Sequence, residues 1–127
     1  MVLNVSVFEN ESMIKEKYSL NYLNSISDGD SDFIKDMIQT FISNVPKELN
    51  QIQQLVLKKE WHLVGAEAHR FASNLVFLEL DDLRVIAIKI ENLGTSQKQT
   101  EQIPDLLNRL EEGCSIIIHD LKNDFSL

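Results

Sequence analysis

Glycine and proline are scarce in this 127-residue chain, at 4 and 2 copies, which excludes collagen-like and low-complexity sequence. The single cysteine, Cys114, cannot close an internal disulfide, and such sparing use fits a reducing compartment. Positive charge is in short supply as well: 12 Lys+Arg stand against 20 Asp+Glu, a net charge of −8, and the densest basic pair is Lys58-Lys59. Nucleic acid is therefore not an expected partner, because neutralising phosphates needs a basic footprint, and an anionic membrane surface is disfavoured for the same reason. No apolar run approaches the ~18 residues of a transmembrane helix. The stretch Met1 to Glu9 has neither a basic n-region nor a long apolar h-region, so no secretory signal is expected and the expected setting is the cytoplasm. Walker-type loops and GxGxxG are missing, so the chain is expected to bind no ATP of its own. HExxH and CxxC are missing too, and no resident metal is expected.

What is present is an ordinary globular composition, 43% hydrophobic and 25% charged, on a length suited to one domain with one core. The apolar residues repeat with helical period from about residue 19 onward. Leu20, Tyr22, Leu23 and Ile26 predict a short first helix, broken at Ser27-Asp28-Gly29-Asp30. Asp30 is a good N-cap for a second helix through Ile34, Met37, Ile38 and Phe41, which Pro46 should kink or restart before Leu49, Ile52 and Val56. A third helix is predicted over Trp61–Leu78. A fourth begins at Asp81 or Asp82 and ends with Gly94 at C′; a polar loop over 95–100 follows. The last helix carries Leu106, Leu107, Leu110, Cys114, Ile117 and Leu121, with Pro104 in its first turn. No strand pattern and no internal repeat occur. The expected fold is all-α, an antiparallel four-helix bundle with an additional short N-terminal helix. Residues 1–17 are read as an arm, extended or docked on the bundle; 18–124 as the bundle; 125–127 as a C-terminal tail.

The third helix carries the chemistry. On a wheel at about 100° per residue, Val64, Ala68, Phe71, Leu75 and Leu78 share one side and face the core. His62, Gly65, Ala66, His69, Ser73 and Val76 lie about 130° away. His69 has Gly65 and Ala66 one turn before it and Ala72 and Ser73 one turn after, where a solvated face would carry Lys, Glu or Gln. Small neighbours leave the imidazole standing clear for another protein to approach. On this reading, bulk at Gly65 or Ser73 should block docking more than folding. Neutral imidazole is a competent nucleophile near neutral pH, and phosphoryl transfer asks mainly for in-line access and charge stabilisation, so one exposed His can be half of an active site.

The stretch Ala68-His69-Arg70-Phe71-Ala72-Ser73-Asn74 resembles the phosphorylation motif of histidine-containing phosphotransfer (HPt) domains, which runs Ala-His-x-Leu-Lys-(Gly/Ser)-Ser. The resemblance extends to the second-helix pattern from Gly29 through Phe41, to Glu60-Trp61 ahead of the histidine helix, and to Leu78-Glu79-Leu80-Asp81-Asp82-Leu83 and Ile90-Glu91-Asn92-Leu93-Gly94 after it. It covers about residues 18–124. What it implies is a four-helix core, a phospho-accepting histidine at His69, and a response-regulator receiver domain as partner, with a hybrid histidine kinase as a further one. Two departures stand out. The family Lys three residues after the His is Ala72 here, and Arg70 points about 100° away from the imidazole. Glu79 stands where a Gly is common.

The chain is accordingly expected to be a monomeric phosphocarrier without a catalytic centre of its own, moving a phosphoryl group on His69 between receiver aspartates. Its docking face is His62, Gly65, Ala66, Ala72, Ser73 and Val76, and Mg²⁺ is expected to come with the receiver. The alternative is a degenerate HPt-like scaffold that binds receivers or kinases without relaying phosphate, a reading that Ala72 favours. His62 and His69, seven residues apart, are too distant for a compact metal site. His119 is expected at the surface, Cys114 in the core and Trp61 as a partly buried anchor.

Overall fold

The structure is a computed structural model that describes residues 16–127. Among these residues every regular element is helical. Helix α1 spans Asn21–Ser27, α2 Ser31–Leu57, α3 Trp61–Asn74, α4 Asp81–Ser96 and α5 Ile103–Phe125; single 3₁₀ turns occupy Leu75–Leu78 and Thr100–Gln102. The question of whether residues 1–15 dock on the bundle lies outside the described residues.

Local chemistry explains most boundaries. The Asp30 carboxylate accepts from the backbone N–H groups of Asp32 and Phe33, capping α2 as its position suggests. Helix α2 runs through Pro46 without a break, burying Ile38, Phe41, Val45, Leu49 and Ile52 on one stripe; that burial outweighs the donor which proline removes. The histidine helix is shorter than its apolar pattern, because Leu75–Leu78 tightens into the 3₁₀ turn. Gly94 does not terminate α4. The helix continues to Ser96, and Gln97 takes the left-handed conformation at φ 57°. Gly94 has a different task, described below. Phe125, assigned to the tail by the sequence, is the last helical residue of α5 and packs against the core.

Helices α2 to α5 enclose one apolar core. Its largest fully buried members include Ile38, Ile52, Phe71, Leu75, Leu83, Leu107 and Leu110, each contributing roughly 1.5–3 kcal/mol on burial. The core-facing row of the histidine helix, Val64, Ala68, Phe71, Leu75 and Leu78, is buried throughout. Cys114 is buried as well, and burial pushes its thiol up to about 12.

The segment before α1 is tied down by carboxylates. Glu16 caps α4, accepting from Asp82 N at 2.8 Å and Leu83 N at 3.1 Å, where the helix supplies no side-chain cap of its own. Glu79 does the reverse: its carboxylate accepts from Tyr22 N at the start of α1. Its backbone sits at φ 56°, in the left-handed region that favours glycine. The Glu at this site thus exchanges backbone ease for a cap on α1, the role that the sequence did not reveal.

Tyr18 donates its hydroxyl to Asp124. Partial burial and that bond push the phenol up to about 12 from 10.0. The fold therefore favours the neutral phenol. The stabilisation is complete below pH 10 and is lost as pH rises through about 12. In an ultraviolet titration, the difference between the native chain and Tyr18→Phe should show one phenol ionising near 12, and the variant should lose less stability than the native chain over that interval.

Candidate functional site

Helices α3 and α4 meet backbone to backbone. A Cβ added to Gly94 would stand 2.7 Å from the Trp61 carbonyl oxygen and 2.8 Å from Gly65 N. One added to Gly65 would stand 2.6 Å from Thr95 Oγ1 and 2.9 Å from Thr95 N. Each glycine costs roughly 1 kcal/mol of helix propensity against alanine, and the close approach is what offsets it. Gly65 is accordingly buried against α4. This corrects the expectation that Gly65 leaves room for an outside protein: its smallness serves the fold. Ala72, at 5% exposure, is likewise packed and forms no part of the open face. His62, Ala66, His69, Ser73 and Val76 are exposed.

The glycine contact sets the register of the antiparallel α3–α4 pair. With Gly65 against Gly94, four residues on along α3 faces three residues back along α4, and His69 meets Glu91. Nδ1 of His69 lies 2.8 Å from Glu91 Oε2. An ionised carboxylate only accepts, so Nδ1 carries the proton and donates it. In the neutral ring this leaves the lone pair on Nε2. The His69 side chain is 66% exposed and that of Glu91 26%, so the bond holds the inner edge of the ring while the outer edge meets solvent. The result is an oriented imidazole of one tautomer on a mostly exposed side chain, its lone pair on Nε2.

Arg70, one residue on, is engaged with Glu67 rather than with the imidazole. Ser73 turns its hydroxyl back to the His69 carbonyl oxygen at 3.3 Å. Asn74 donates to the Glu48 carboxylate, linking the end of α3 to α2. Among the described residues, no group of three His, Cys, Asp or Glu side chains gathers to hold a metal ion, and no helix is long and apolar enough to cross a membrane.

A sequence model of the Hpt domain matches residues 36–120, well over half of the chain. The chain belongs to the Hpt domain family. Hpt domains are helical phosphocarrier modules that work with receiver domains and kinases in two-component signalling. Comparison with curated proteins and with solved structures returned no match. The matched stretch contains α3, α4 and the His69–Glu91 pair of this Hpt domain entire.

Glu91 lies within the resembling stretch Ile90-Glu91-Asn92-Leu93-Gly94, yet the sequence reading assigned it no role. Its role depends on the cross-helix register, which no pattern within one helix reveals. The usable signal was the pair of helical glycines, Gly65 and Gly94: two unfavourable residues in neighbouring helices mark a close approach, and the approach dictates which side chains face each other.

Removing the Glu91 carboxylate should slow phosphoryl uptake without unfolding the chain. For Glu91→Ala the expected loss in transfer rate is about 10-fold, the order of one hydrogen bond to a charged group at a partly exposed site. Glu91→Gln retains an acceptor for Nδ1–H and should recover much of the rate. Single-turnover transfer from a phosphorylated receiver measures both. Equal defects in the two variants would mean that charge, and not ring orientation, is what Glu91 supplies.

Proposed function

We propose that this Hpt domain relays a phosphoryl group on His69 between receiver-domain aspartates. The observation that carries the reading is the His69–Glu91 geometry: Nδ1–H committed to a carboxylate at 2.8 Å, and Nε2 left free on a ring that is mostly in solvent. Nε2 attacks the phosphorus of an aspartyl phosphate in line; the N–P bond forms as the bond from phosphorus to the aspartate oxygen breaks, and the aspartate leaves as a carboxylate. Glu91 holds the ring in place through Nδ1–H while it reacts. Returning the group to a second receiver reverses the step. The receiver supplies Mg²⁺ and its acidic pocket; this chain supplies the nucleophile and the surface around it. His62, Ala66, Ser73 and Val76 remain the proposed docking residues of α3.

A second reading has one specific observation behind it. The family Lys is Ala72, and Ala72 is packed rather than exposed, so that position offers phospho-His69 no cation. A chain that binds receivers yet relays nothing would fit this feature. The two readings part in a single experiment: a receiver domain labelled on its aspartate is mixed with the chain and the label is followed in both proteins. Loss from the receiver with gain on the chain supports relay. Stable complex formation with no gain supports the scaffold.

A further inference from the structure

Residues 16–20 cross one end of the bundle without forming a regular element. The stretch matched to the Hpt domain begins only at residue 36, so membership of the family does not account for this segment. It touches three elements. The Glu16 carboxylate accepts from the backbone N–H groups of Asp82 and Leu83 in the first turn of α4. Tyr18 donates to Asp124 near the end of α5. The Ser19 N–H donates to the Leu78 carbonyl oxygen at 3.0 Å, in the 3₁₀ turn. Tyr18 and Leu20 are only half-buried where they pack on the core. A segment held by a few polar ties and little apolar burial belongs to the part of a fold that opens first.

The charge around its first tie has one sign. A carboxylate suits a helix N-terminus, but Glu16 shares this one with Asp81 and Asp82 of α4, and its charge bears on the Cys114 thiol of α5 together with that of Glu111. At the other end of the segment Asp120 and Asp124 of α5 face Tyr18, beside Lys17. Among the described residues no Lys or Arg forms an ion pair with Glu16. Partial burial opposes the Glu16 charge, the two backbone bonds favour it, and Asp82 and Asp81 oppose it again; the carboxyl is held above its ordinary value of 4.5. We propose that residues 16–20 form a proton-biased latch, a strap that closes on the end of the bundle in acid and loosens toward neutral pH while the α3–α4 contact at His69 stays shut. The closed strap takes up a proton more readily than the open one. The stabilisation is complete below 4.5 and is lost as pH rises through the raised value. Asp82 precedes Glu91 by nine residues, about 13.5 Å along the helix axis. The register there is set by Gly65 and Gly94, so opening at the end of α4 leaves the His69–Glu91 pair in place. Helix α1 keeps its own tie, from Tyr22 N to Glu79.

The test is amide hydrogen exchange of the full chain, followed by NMR from weakly acidic to neutral pH, each rate scaled to that of an unprotected amide at the same pH. Protection of the Ser19, Asp82 and Leu83 amides should fall as pH rises, relative to that of the Gly65 and Gly94 amides. Glu16→Gln keeps an acceptor for the α4 amides and removes the charge. Its strap should be as well protected at neutral pH as in acid. Glu16→Ala removes the acceptor, and protection at Asp82 and Leu83 should drop about 5-fold in acid, the usual effect of losing a helix cap. Equal protection of the native strap across the pH range would overturn the latch. So would a fall shared in full by Gly65 and Gly94, which means that the chain opens as a whole, or a fall that persists in Glu16→Gln, which places the titrating group elsewhere. Phosphoryl transfer does not enter the measurement, so its outcome stands apart from the relay function.

Discussion

His69→Gln should fold as the native chain does and accept no phosphoryl group from any receiver. The replaced side chain is 66% exposed and its bond is to Glu91, so it holds no part of the core together. Substitutions at such positions usually fall within about 0.5 kcal/mol of neutral. Glutamine is similar in size, and its amide can donate to Glu91 much as Nδ1–H does. What it lacks is a basic nitrogen lone pair, and without a nucleophile the displacement has no first step. Transfer should therefore drop below detection, while receiver affinity stays within a few-fold. Matching melting curves beside complete loss of label uptake is the expected pair of results. Residual uptake at a tenth of the native rate would place the acceptor elsewhere, with exposed His62, on the same helix, the first residue to try.

The second large effect falls on stability, at the glycine contact between α3 and α4. Gly94→Val should cost about 3 kcal/mol or more, seen as a fall in melting temperature of about 10 °C or more. The atoms that a new Cβ would meet, at 2.7, 2.8 and 3.0 Å, belong to the backbone of Trp61 and Gly65 and cannot turn aside as a side-chain end could. Gly65→Ala is the sharper comparison. Alanine gains roughly 1 kcal/mol of helix propensity over glycine, so a stabilised variant would be expected if Gly65 faced an open surface. The contacts at 2.6 Å and 2.9 Å with Thr95 predict net destabilisation instead. Ala66→Lys, one residue on and exposed, should leave the melting temperature nearly unchanged. Where Gly65→Ala remains folded, α3 and α4 are pushed apart, His69 loses its register with Glu91, and phosphoryl uptake should slow as it does in Glu91→Ala.

These two sites show where a sequence is legible and where it stops. The apolar stripes of α2, α3 and α5 placed their helices because burial of Ile38, Phe71 or Leu107 dominates the local energetics, and the 3.6-residue period records it directly. The Asp30 cap was legible because its acceptor and its donors lie within three residues. His69 stood out because its neighbours are small. That same signal misassigned Gly65, since a small residue looks alike in sequence whether its free side meets a partner protein or a neighbouring helix. Gly94 was misread for a related reason: glycine near the end of a helix is most often a terminator, and only the packing of α4 on α3 gives it a different use. Glu91, the Glu16 cap and the Glu79 cap all act across dozens of residues, through contacts that no local period encodes.

The central claim is that Nε2 of His69 is the atom that carries phosphate. The measurement that meets it most directly is phosphorus NMR of the chain after transfer from a receiver phosphorylated with acetyl phosphate, with the label also followed through acid and base treatment. The account predicts an acid-labile, base-stable phosphoramidate at the Nε2 position, absent from His69→Gln. A phosphoryl group on Nδ1 would contradict the orientation assigned to Glu91. A chain that binds active receivers and returns no phosphoramidate signal at all would contradict the carrier function itself.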